Sequence, residues 1–209
     1  MTKLAPQSTD KEHALCGASN SSRWLGCPGS IAMGLKVPEP PQSEYAAEGQ
    51  RAHDLGEIYL RLLADHYHKT GKDLRKTTDI REFATKEDYP IEMREHCWDY
   101  ACVVMDEVLK RKPKKVLIEQ KVILHQGYGM FGTADCFFGY KDKNEKIHLA
   151  IYDLKYGKGV VVEADSPQLI YYALAVAETF KLTPDVYHLN IFQPRADHSD
   201  GQHRTYIMK

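Results

Sequence analysis

The chain has 209 residues, of which 43% are apolar and 27% are charged, and its formal net charge is −1. This composition is typical of a globular domain with one sizeable core, and it excludes a protein coated in positive charge for nucleic acid. No run of about 18 apolar residues occurs, so the sequence predicts no membrane span. The polar residues 1–13 lack the apolar segment of a signal peptide, and we therefore expect a cytoplasmic protein, in the bacterial host if a phage encodes it.

The expected organisation is simple. Residues 1–15 are expected to be disordered, and residues 16–209 are expected to form one domain. The chain ends soon after its last expected strand, which leaves open whether it is a piece of a longer protein.

The cysteines argue against two kinds of site. Their number is odd and they form no C-x-x-C pair, so neither a disulfide framework nor a zinc knuckle is expected. Two of them lie five apart in a helical pattern and are interpreted as small buried residues. The five are Cys16, Cys27, Cys97, Cys102 and Cys136, the buried pair being Cys97 and Cys102.

The first half of the chain predicts two long helices. The proline-rich VPEPPQ at 37–42 is a connector, and a helix is expected from Ser43, a capping residue, to about His68. A polar stretch follows, with a short helix or a loop, before a second helix that begins near Pro90 and ends before Pro113. Apolar residues at helical spacing predict the buried faces. They are Ala52, Leu55, Tyr59, Leu62 and Leu63 in the first helix and Cys97, Ala101, Met105 and Val108 in the second.

From Lys115 the apolar period changes from helical to alternating. Residues 115–124, 131–140 and 147–155 are predicted strands, and the polar KDKNEK at 141–146 makes the last two an antiparallel hairpin. A helix from about Ser166 to Phe180, with Pro167 at its first position, and a final strand, VYHLNIFQP, complete the order. This order predicts an α/β (α+β) domain with a central mixed β-sheet flanked by helices.

The predicted hairpin carries the strongest chemical signal. Asp153 and Lys155 are two apart on a strand and point to one face, and Asp135 on the neighbouring strand can approach Asp153, although the register is not fixed by sequence. Paired carboxylates repel each other and are commonly stabilised by a divalent cation, with Mg²⁺ or Mn²⁺ suited to hard oxygen ligands. Gly132, Gly157 and Gly159 leave room for a substrate backbone. By itself, D-x-K is more often a surface ion pair.

Two helices add weaker signals. Gly49, His53 and Glu57 share one face of the first helix, where Glu57 could orient the imidazole of His53. Gln168 and Tyr172 share one face of the helix that follows the hairpin. Alone, each is ordinary: a half-buried histidine and a fragment of an amphipathic helix.

The order of these motifs is more specific than any one of them. G-x-x-x-H on a helix precedes G-x-x-D on a strand, D-x-K follows 18 residues after that aspartate, and Q-x-x-x-Y follows 13 residues after the lysine. This pattern resembles the PD-(D/E)xK nuclease superfamily, and within it the RecB-like branch that includes phage lambda-type exonucleases. SSRWLGCPGS at 21–30 resembles the segment that opens many RecB-like domains, and LNIFQPR at 189–195 is similar to an uncharacterised phage-borne family in the superfamily. The resemblance covers residues 19–195.

The resemblance implies a restriction-endonuclease-like core and an Mg²⁺- or Mn²⁺-dependent deoxyribonuclease, most simply an exonuclease, acting in phage or bacterial DNA recombination or repair. It implies that His53, Asp135, Asp153 and the carbonyl of Leu154 bind metal, and that Lys155 assists catalysis. Gln168 and Tyr172 would position the DNA. Glu119 occupies a place where relatives often carry an acidic residue. The run of Lys110, Arg111, Lys112, Lys114 and Lys115 is a candidate contact with the DNA backbone, although such a run alone is usually a solvated helix end.

Several alternatives stay open. Some relatives hold an iron–sulfur cluster through three cysteines after the nuclease core, but no cysteine follows Cys136, so no such cluster is expected. The chain could instead be a nucleic-acid-binding module that keeps the fold without turnover, or a subunit active only beside a helicase or a single-strand annealing protein. The sequence does not decide between exonuclease and endonuclease, nor does it fix strand preference, polarity or oligomeric state.

Overall fold

The computed structural model describes residues 14–38, 41–76 and 89–209. Short 3₁₀ turns lie at Ala18–Asn20, Leu74–Lys76 and Gln126–Tyr128. The other elements, in chain order, are α1 (Ser21–Gly26), α2 (Gly29–Gly34), α3 (Glu44–Thr70), α4 (Ile91–Arg111), β1 (Leu117–His125), β2 (Met130–Lys141), β3 (Ile147–Leu154), α5 (Pro167–Phe180), β4 (Val186–Phe192) and β5 (His203–Met208).

The five strands form one mixed sheet in the order β1-β2-β3-β4-β5. All neighbours are antiparallel except β3 and β4, which are parallel and therefore need the crossover through α5. The predicted β2–β3 hairpin is confirmed, with Cys136 opposite Tyr152 and Lys141 opposite Ile147. Helices cover the sheet, so the α+β class with a mixed sheet is confirmed.

Helices α3 and α4 pack on one face of the sheet. The Ser43 hydroxyl caps α3 by accepting the Ala46 N–H at 3.2 Å, and Gly71, with φ 69°, ends it. The face predicted for α4 is confirmed, because Cys97, Ala101, Met105 and Val108 are all buried. Cys102 is only half-buried, which corrects that prediction, and all five cysteines are free thiols.

The prediction that Leu62 belongs to the buried face of α3 is wrong. Leu62 is 42% exposed, whereas Leu60 and Leu63 are each 1% exposed. The buried stripe includes Leu60 and Ala64 instead, because positions spaced three and four apart from Gly56 and Leu60 continue one side of the helix.

Helix α5 packs on the opposite face of the sheet together with the N-terminal segment. Pro167 is confirmed at its first position. The ring of Trp24, in α1, meets the ring of Tyr171 edge-on at 6.4 Å, and its indole N–H donates to the Gly17 carbonyl at 3.0 Å. The serine- and glycine-rich segment around Trp24 therefore packs against α5.

The chain ends differ from expectation. Leu15 lies against Gly129, and the Cys16 N–H donates to the Gly129 carbonyl at 3.4 Å, so order begins before residue 16. The expected final strand is not the last, since β5 pairs with β4. Residues 1–13, 39–40 and 77–88 lie outside the described residues, and so do the parts of the disordered-terminus, connector and polar-loop predictions that concern them.

None of the helices in the described part of the chain combines the length and the apolarity that a membrane crossing requires.

Leu62 and Leu63 provide a matched test of the α3 packing. We expect Leu63→Ala to lower the free energy of unfolding by about 2–5 kcal/mol, because it leaves a cavity in the core. Leu62→Ala should cost less than about 1 kcal/mol, because that side chain is largely solvated. Urea denaturation of the two variants measures both values, and equal losses would show that the buried face of α3 is misassigned.

Candidate metal centre

The centre lies where β2 and β3 stop pairing. Their last paired residues at this end are Cys136 and Tyr152. One residue further on, the Asp135 carboxylate takes the place of the backbone partner: its Oδ2 accepts the Leu154 N–H at 2.8 Å. The expected approach of Asp135 to the Asp153 strand is thus present, through a side-chain to main-chain bond that holds the strand ends in a fixed relation.

Three potential metal ligands meet there. Nδ1 of His53, on α3, lies 3.1 Å from Oδ2 of Asp135. Glu119, on β1, completes the group, in which one ligand atom from each residue lies within 4.8 Å of the others. We call His53, Glu119 and Asp135 the trio. Glu119 therefore belongs to the set of potential ligands itself, and not only to its surroundings.

Glu119 reaches the trio through an unusual backbone. Its φ is 48°, in the left-handed region that non-glycine residues rarely adopt. The β1–β2 ladder is interrupted there, since Ile118 pairs with Cys136 and Gln120 with Ala134. Such a conformation costs on the order of 1–3 kcal/mol and is common at functional sites. The positive φ removes Glu119 from the alternation of the strand. No pattern in the sequence predicts this conformation.

The trio has more negative charge than its surroundings neutralise. Burial, followed by the charge of Asp135, raises the pKa of Glu119 to about 7. Burial lowers the pKa of His53, but the charge and hydrogen bond of Asp135 outweigh it and raise that pKa to about 9. Burial also opposes ionisation of Asp135, yet His53, Lys155 and the Leu154 N–H together hold the pKa of Asp135 below its usual range.

Asp153 lies beside the trio and is paired with Lys155. Their Oδ2 and Nζ atoms are 2.8 Å apart, with the Asp153 side chain 2% and the Lys155 side chain 21% exposed. Burial raises the pKa of Asp153 despite the attraction of Lys155, and the charge of Asp135 adds to the rise. The Gln168 amide donates to Oδ1 of Asp153 at 3.3 Å. The structure therefore assembles the D-x-K pair and Gln168 as one group.

Tyr172 supports Gln168 from a largely buried position. Its hydroxyl is hydrogen-bonded with Gln168, and the ring lies over Gly132, where an added Cβ would come within 3.1 Å of Cε1. The missing side chain of Gly132 makes room for Tyr172, which corrects the expectation that this glycine admits a substrate backbone. Gly157 and Gly159 do face open space.

Glu57 was expected to orient the imidazole of His53, but its carboxylate is turned to another partner. Its carboxylate is ion-paired with Arg61 at 2.6 Å, and Arg61 also donates to the Ile118 carbonyl at 3.0 Å. This bridge fastens α3 to β1 immediately before Glu119. Glu57 therefore acts on the backbone that carries Glu119, and the residue that orients His53 is Asp135.

The basic run at the end of α4 lies at the other end of the sheet. Arg111 packs over the Tyr140 ring at 5.0 Å, and both Lys110 and Arg111 are ion-paired with Glu107. Tyr140 is five residues along β2 from Asp135, a separation of about 17 Å at roughly 3.4 Å per residue. The structure does not bring Lys110, Arg111 or Lys112 to the trio.

Tyr100 is a neighbour of the site that sequence reasoning missed. It is fully buried in α4, and its hydroxyl has no hydrogen-bond partner within the described ranges. Burial raises its pKa well above 10, and the charges of Asp135, Asp153 and Glu119 add to the rise. Its pattern position marks it only as core, so nothing in the sequence distinguishes it from Tyr59.

The donor set fits a divalent cation. One imidazole nitrogen and two carboxylates are within reach of a single ion, and Glu119 with its raised pKa is a carboxylate that lacks a full counter-charge. Carboxylate-rich sites that keep bound water suit Mg²⁺ or Mn²⁺. The arrangement can therefore bind a cation next to a lysine that is partly open to solvent.

The trio predicts how stability depends on pH without metal. A carboxyl whose folded pKa is raised binds its proton more tightly when folded, so its contribution is lost as pH rises from about 4.5 through about 7. In EDTA we expect the stability difference between wild type and Glu119→Gln to shift by about 1 kcal/mol over this window, a value reduced for partial solvent exposure.

Urea unfolding at intervals from pH 4 to 8 measures this difference, with the exposed Glu145→Gln as the control that leaves the profile unchanged. A Glu119→Gln profile parallel to that of the wild type would show that Glu119 ionises normally.

The chain was compared with protein-family models. The model described as "Protein of unknown function (DUF2800)" matches residues 13–205. The match includes the trio, Asp153, Lys155, α5, the strands β1 to β4 and the first half of β5. Because it spans nearly the whole chain, the chain belongs to the DUF2800 family.

Proposed function

We propose that this protein is an Mg²⁺- or Mn²⁺-dependent deoxyribonuclease with a restriction-endonuclease-like core, most simply an exonuclease of DNA recombination or repair. One observation carries the proposal: His53, Glu119 and Asp135 converge within 4.8 Å beside the buried Asp153–Lys155 pair. Residues from α3, β1, β2 and β3 would thus bring a cation close to Lys155 at one end of a mixed sheet.

The trio would hold the cation, with Asp153 and the carbonyl of Leu154 as further donors next to it. When bound, the cation would stabilise negative charge on a phosphodiester and lower the pKa of a bound water. Asp135 has the further task of fixing the site, since its Oδ2 already accepts from His53 and from the Leu154 N–H.

Lys155 would act on the attacking water or on the phosphate. Its ammonium is held 2.8 Å from Asp153 and retains an exposed edge, so it can hold the water in line or offset charge that develops on the phosphate oxygens. Asp153 keeps the lysine in place, and Gln168 keeps Asp153 in place.

Helix α5 would receive the phosphate backbone. No side chain caps its first turn, which leaves backbone N–H groups able to donate to an anion next to Gln168. Tyr172 contributes by holding Gln168 from below, and its buried ring takes no direct part in stacking with DNA bases.

Cleavage of end-labelled DNA tests the proposal. With Mg²⁺ or Mn²⁺ we expect hydrolysis of linear DNA that EDTA abolishes, and a loss of about 100-fold or more in Lys155→Ala, because a positioned proton-transfer or charge-offsetting group typically contributes that much. Asp153→Ala should be equally deficient. Circular substrates distinguish an exonuclease from an endonuclease.

Lys143→Ala, an exposed lysine on the hairpin turn, is the matched control and should cleave normally. Normal cleavage by Lys155→Ala or Asp153→Ala would refute the assignment. DNA binding without cleavage by the folded wild type would favour the binding-module alternative. Activity that appears only with a helicase or annealing protein would favour the partner-dependent one.

The basic run has a place in this proposal as a distant contact. Lys112, Lys114 and Lys115 are exposed, and they have no ion-pair partner within residues 14–38, 41–76 and 89–209. Substrate DNA long enough to extend about 17 Å from the trio would pass them. Their contribution would be to affinity, through phosphate neutralisation, and not to chemistry.

Salt dependence tests this contact. In EDTA, the plot of log K against log salt concentration for duplex DNA should lose about 0.9 of slope for each lysine that contacts a phosphate. The triple variant Lys112→Gln, Lys114→Gln and Lys115→Gln should therefore show a shallower plot in fluorescence anisotropy. The control changes Lys69, Lys72 and Lys76 to Gln, and equal slopes for both variants would exclude a specific role for the run.

A further inference from the structure

The segment that follows β4 lies against the loop that follows β3 and Lys155. Gln193, Pro194 and Arg195 come immediately after Phe192, and the loop is residues 156–165, between Lys155 and α5. Two of these three side chains are almost fully buried and bond the backbone of the loop. We call Gln193–Arg195 the clamp.

Gln193 pairs with the loop as a strand would. Its amide N–H donates to the Val160 carbonyl at 2.7 Å, and its amide oxygen accepts the Val162 N–H at 3.0 Å. The residue is 1% exposed. These two bonds from one side chain fix two alternate residues of a loop that has no strand neighbour of its own there.

Arg204, on β5, reinforces the Gln193 contact. Its guanidinium donates to the Gln193 amide oxygen and to the Val162 carbonyl, each at 2.8 Å, and to the Gly201 carbonyl at 2.9 Å. No carboxylate is paired with it in the described part of the chain, and its Nε has no hydrogen-bond partner there. Its buried charge is thus stabilised by carbonyl oxygens, one of which belongs to the backbone of the loop.

Arg195 holds the other end of the loop. Its side chain is 7% exposed and is ion-paired with Glu48, on α3, at 2.8 Å. The guanidinium lies over the Tyr156 ring at 4.5 Å and donates to the Tyr156 carbonyl at 3.4 Å. Tyr156 follows Lys155 directly, and Glu48 lies five residues before His53. Arg195 therefore connects the helix of a trio residue with the residue next to the lysine.

Burying these polar side chains costs more free energy than burying apolar side chains in the same space would. A buried polar atom without a partner costs about 1–3 kcal/mol, and Arg195 Nε and Arg204 Nε are two such atoms in the described structure. Apolar side chains of similar size would pack without this cost. What the polar side chains add is direction, because each hydrogen bond fixes the backbone at a defined distance and angle.

Packing also holds the two ends of the loop, since Tyr156 is 3% and Ala164 is 6% exposed, and Glu163 is ion-paired with His198 at 3.4 Å. The middle of the loop has few contacts besides the clamp. An added Cβ at Gly157 or Gly159 would meet no atom within 4 Å, and Val160 is 75% exposed. One side of the loop therefore faces solvent and the other side faces the clamp. Loss of the clamp contacts would release the middle of the loop, which begins just beyond the buried Tyr156.

We infer that Gln193 and Arg195 are positioning residues, which set the place of Lys155 relative to the trio by clamping the loop behind it. The catalytic consequence rests on the proposed nuclease function, whereas the effect on the loop and on Lys155 does not. The Lys155 ammonium is bound to Asp153, and the Lys155 N–H donates to the Phe192 carbonyl at 2.8 Å. Because Phe192 directly precedes the clamp, a shift of the clamp would also shift the backbone that carries the ammonium.

The first test needs no catalytic activity. Amine acylation followed by mass spectrometry measures the reactivity of Lys155, and hydrogen exchange measures the protection of the amides of residues 156–162. In Arg195→Met and Gln193→Met we expect Lys155 to react at least about fivefold faster than in wild type, with exchange in the loop at least about tenfold faster. The lysines of the hairpin turn, Lys143 and Lys146, are internal references.

Arg75→Met is the matched control. Arg75 is also a shielded arginine with an ion pair, to Asp73, but it contacts neither the loop nor the trio. Its loss should lower overall stability while leaving Lys155 reactivity and loop exchange unchanged. Equal responses in Arg75→Met and Arg195→Met would show that the clamp contributes only to overall stability, and would overturn the inference.

The second test is kinetic. We expect Arg195→Met to lower kcat at least about tenfold with KM within about twofold, and Arg195→Lys, which keeps the charge but lacks the planar fork, to be intermediate. Unchanged kcat in both Arg195→Met and Gln193→Met overturns the inference. A wild type that never cleaves DNA would count against the proposed function alone, because acylation and exchange still decide whether the clamp holds Lys155.

Discussion

The Asp135 carboxylate closes the gap that opens where β2 and β3 separate. By accepting the Leu154 N–H, it continues the sheet with a side chain in place of a peptide group. The same oxygen faces His53 on α3, so the helix layer and the sheet are joined at the point where the strands diverge. Removal of this group would leave a buried amide and an imidazole without their acceptor, which is why structure and candidate chemistry cannot be separated here.

The charges around Asp135 are a compromise between folding and binding. Three carboxylates lie together with one histidine and one lysine, and burial raises the pKa of both Glu119 and Asp153. Such a site is less stable than an apolar one of the same size would be. A bound cation would offset this cost, and its ligands would already be arranged in the folded protein.

Sequence reasoning reached the elements with a strong apolar period. The bounds of α3 and α4, the hairpin and Pro167 at the start of α5 followed from local signals. Leu62 was misplaced because adjacent leucines on a long helix satisfy the same pattern within one position. Strand β5 was missed because HRTYIM, at the edge of the sheet, is short and exposes three consecutive residues, so it lacks the alternation that marks a strand.

The candidate site was predictable in its members but not in its contacts. His53, Asp135, Asp153, Lys155 and Gln168 meet as the motif order suggested. Glu119 comes close to His53 and Asp135 only because its φ is positive. Glu57 pairs with Arg61, one helical turn away, and not with His53. Gln193 and Arg195 lie about 40 residues beyond the lysine that they support. Contacts over such distances follow from the tertiary arrangement and leave no local periodicity.

The parallel pairing of β3 with β4 has a consequence for the order of assembly. His148 pairs with Val186, so this ladder joins segments 38 residues apart, and it cannot form until α5 has crossed over the sheet. Loop closure of this length makes such pairing slow compared with hairpins and helices. A nascent chain that has just exposed Asp153 and Lys155 lacks the residues that hold them. The candidate site would therefore be completed late in synthesis, after α3, α4 and the β2–β3 hairpin have been made.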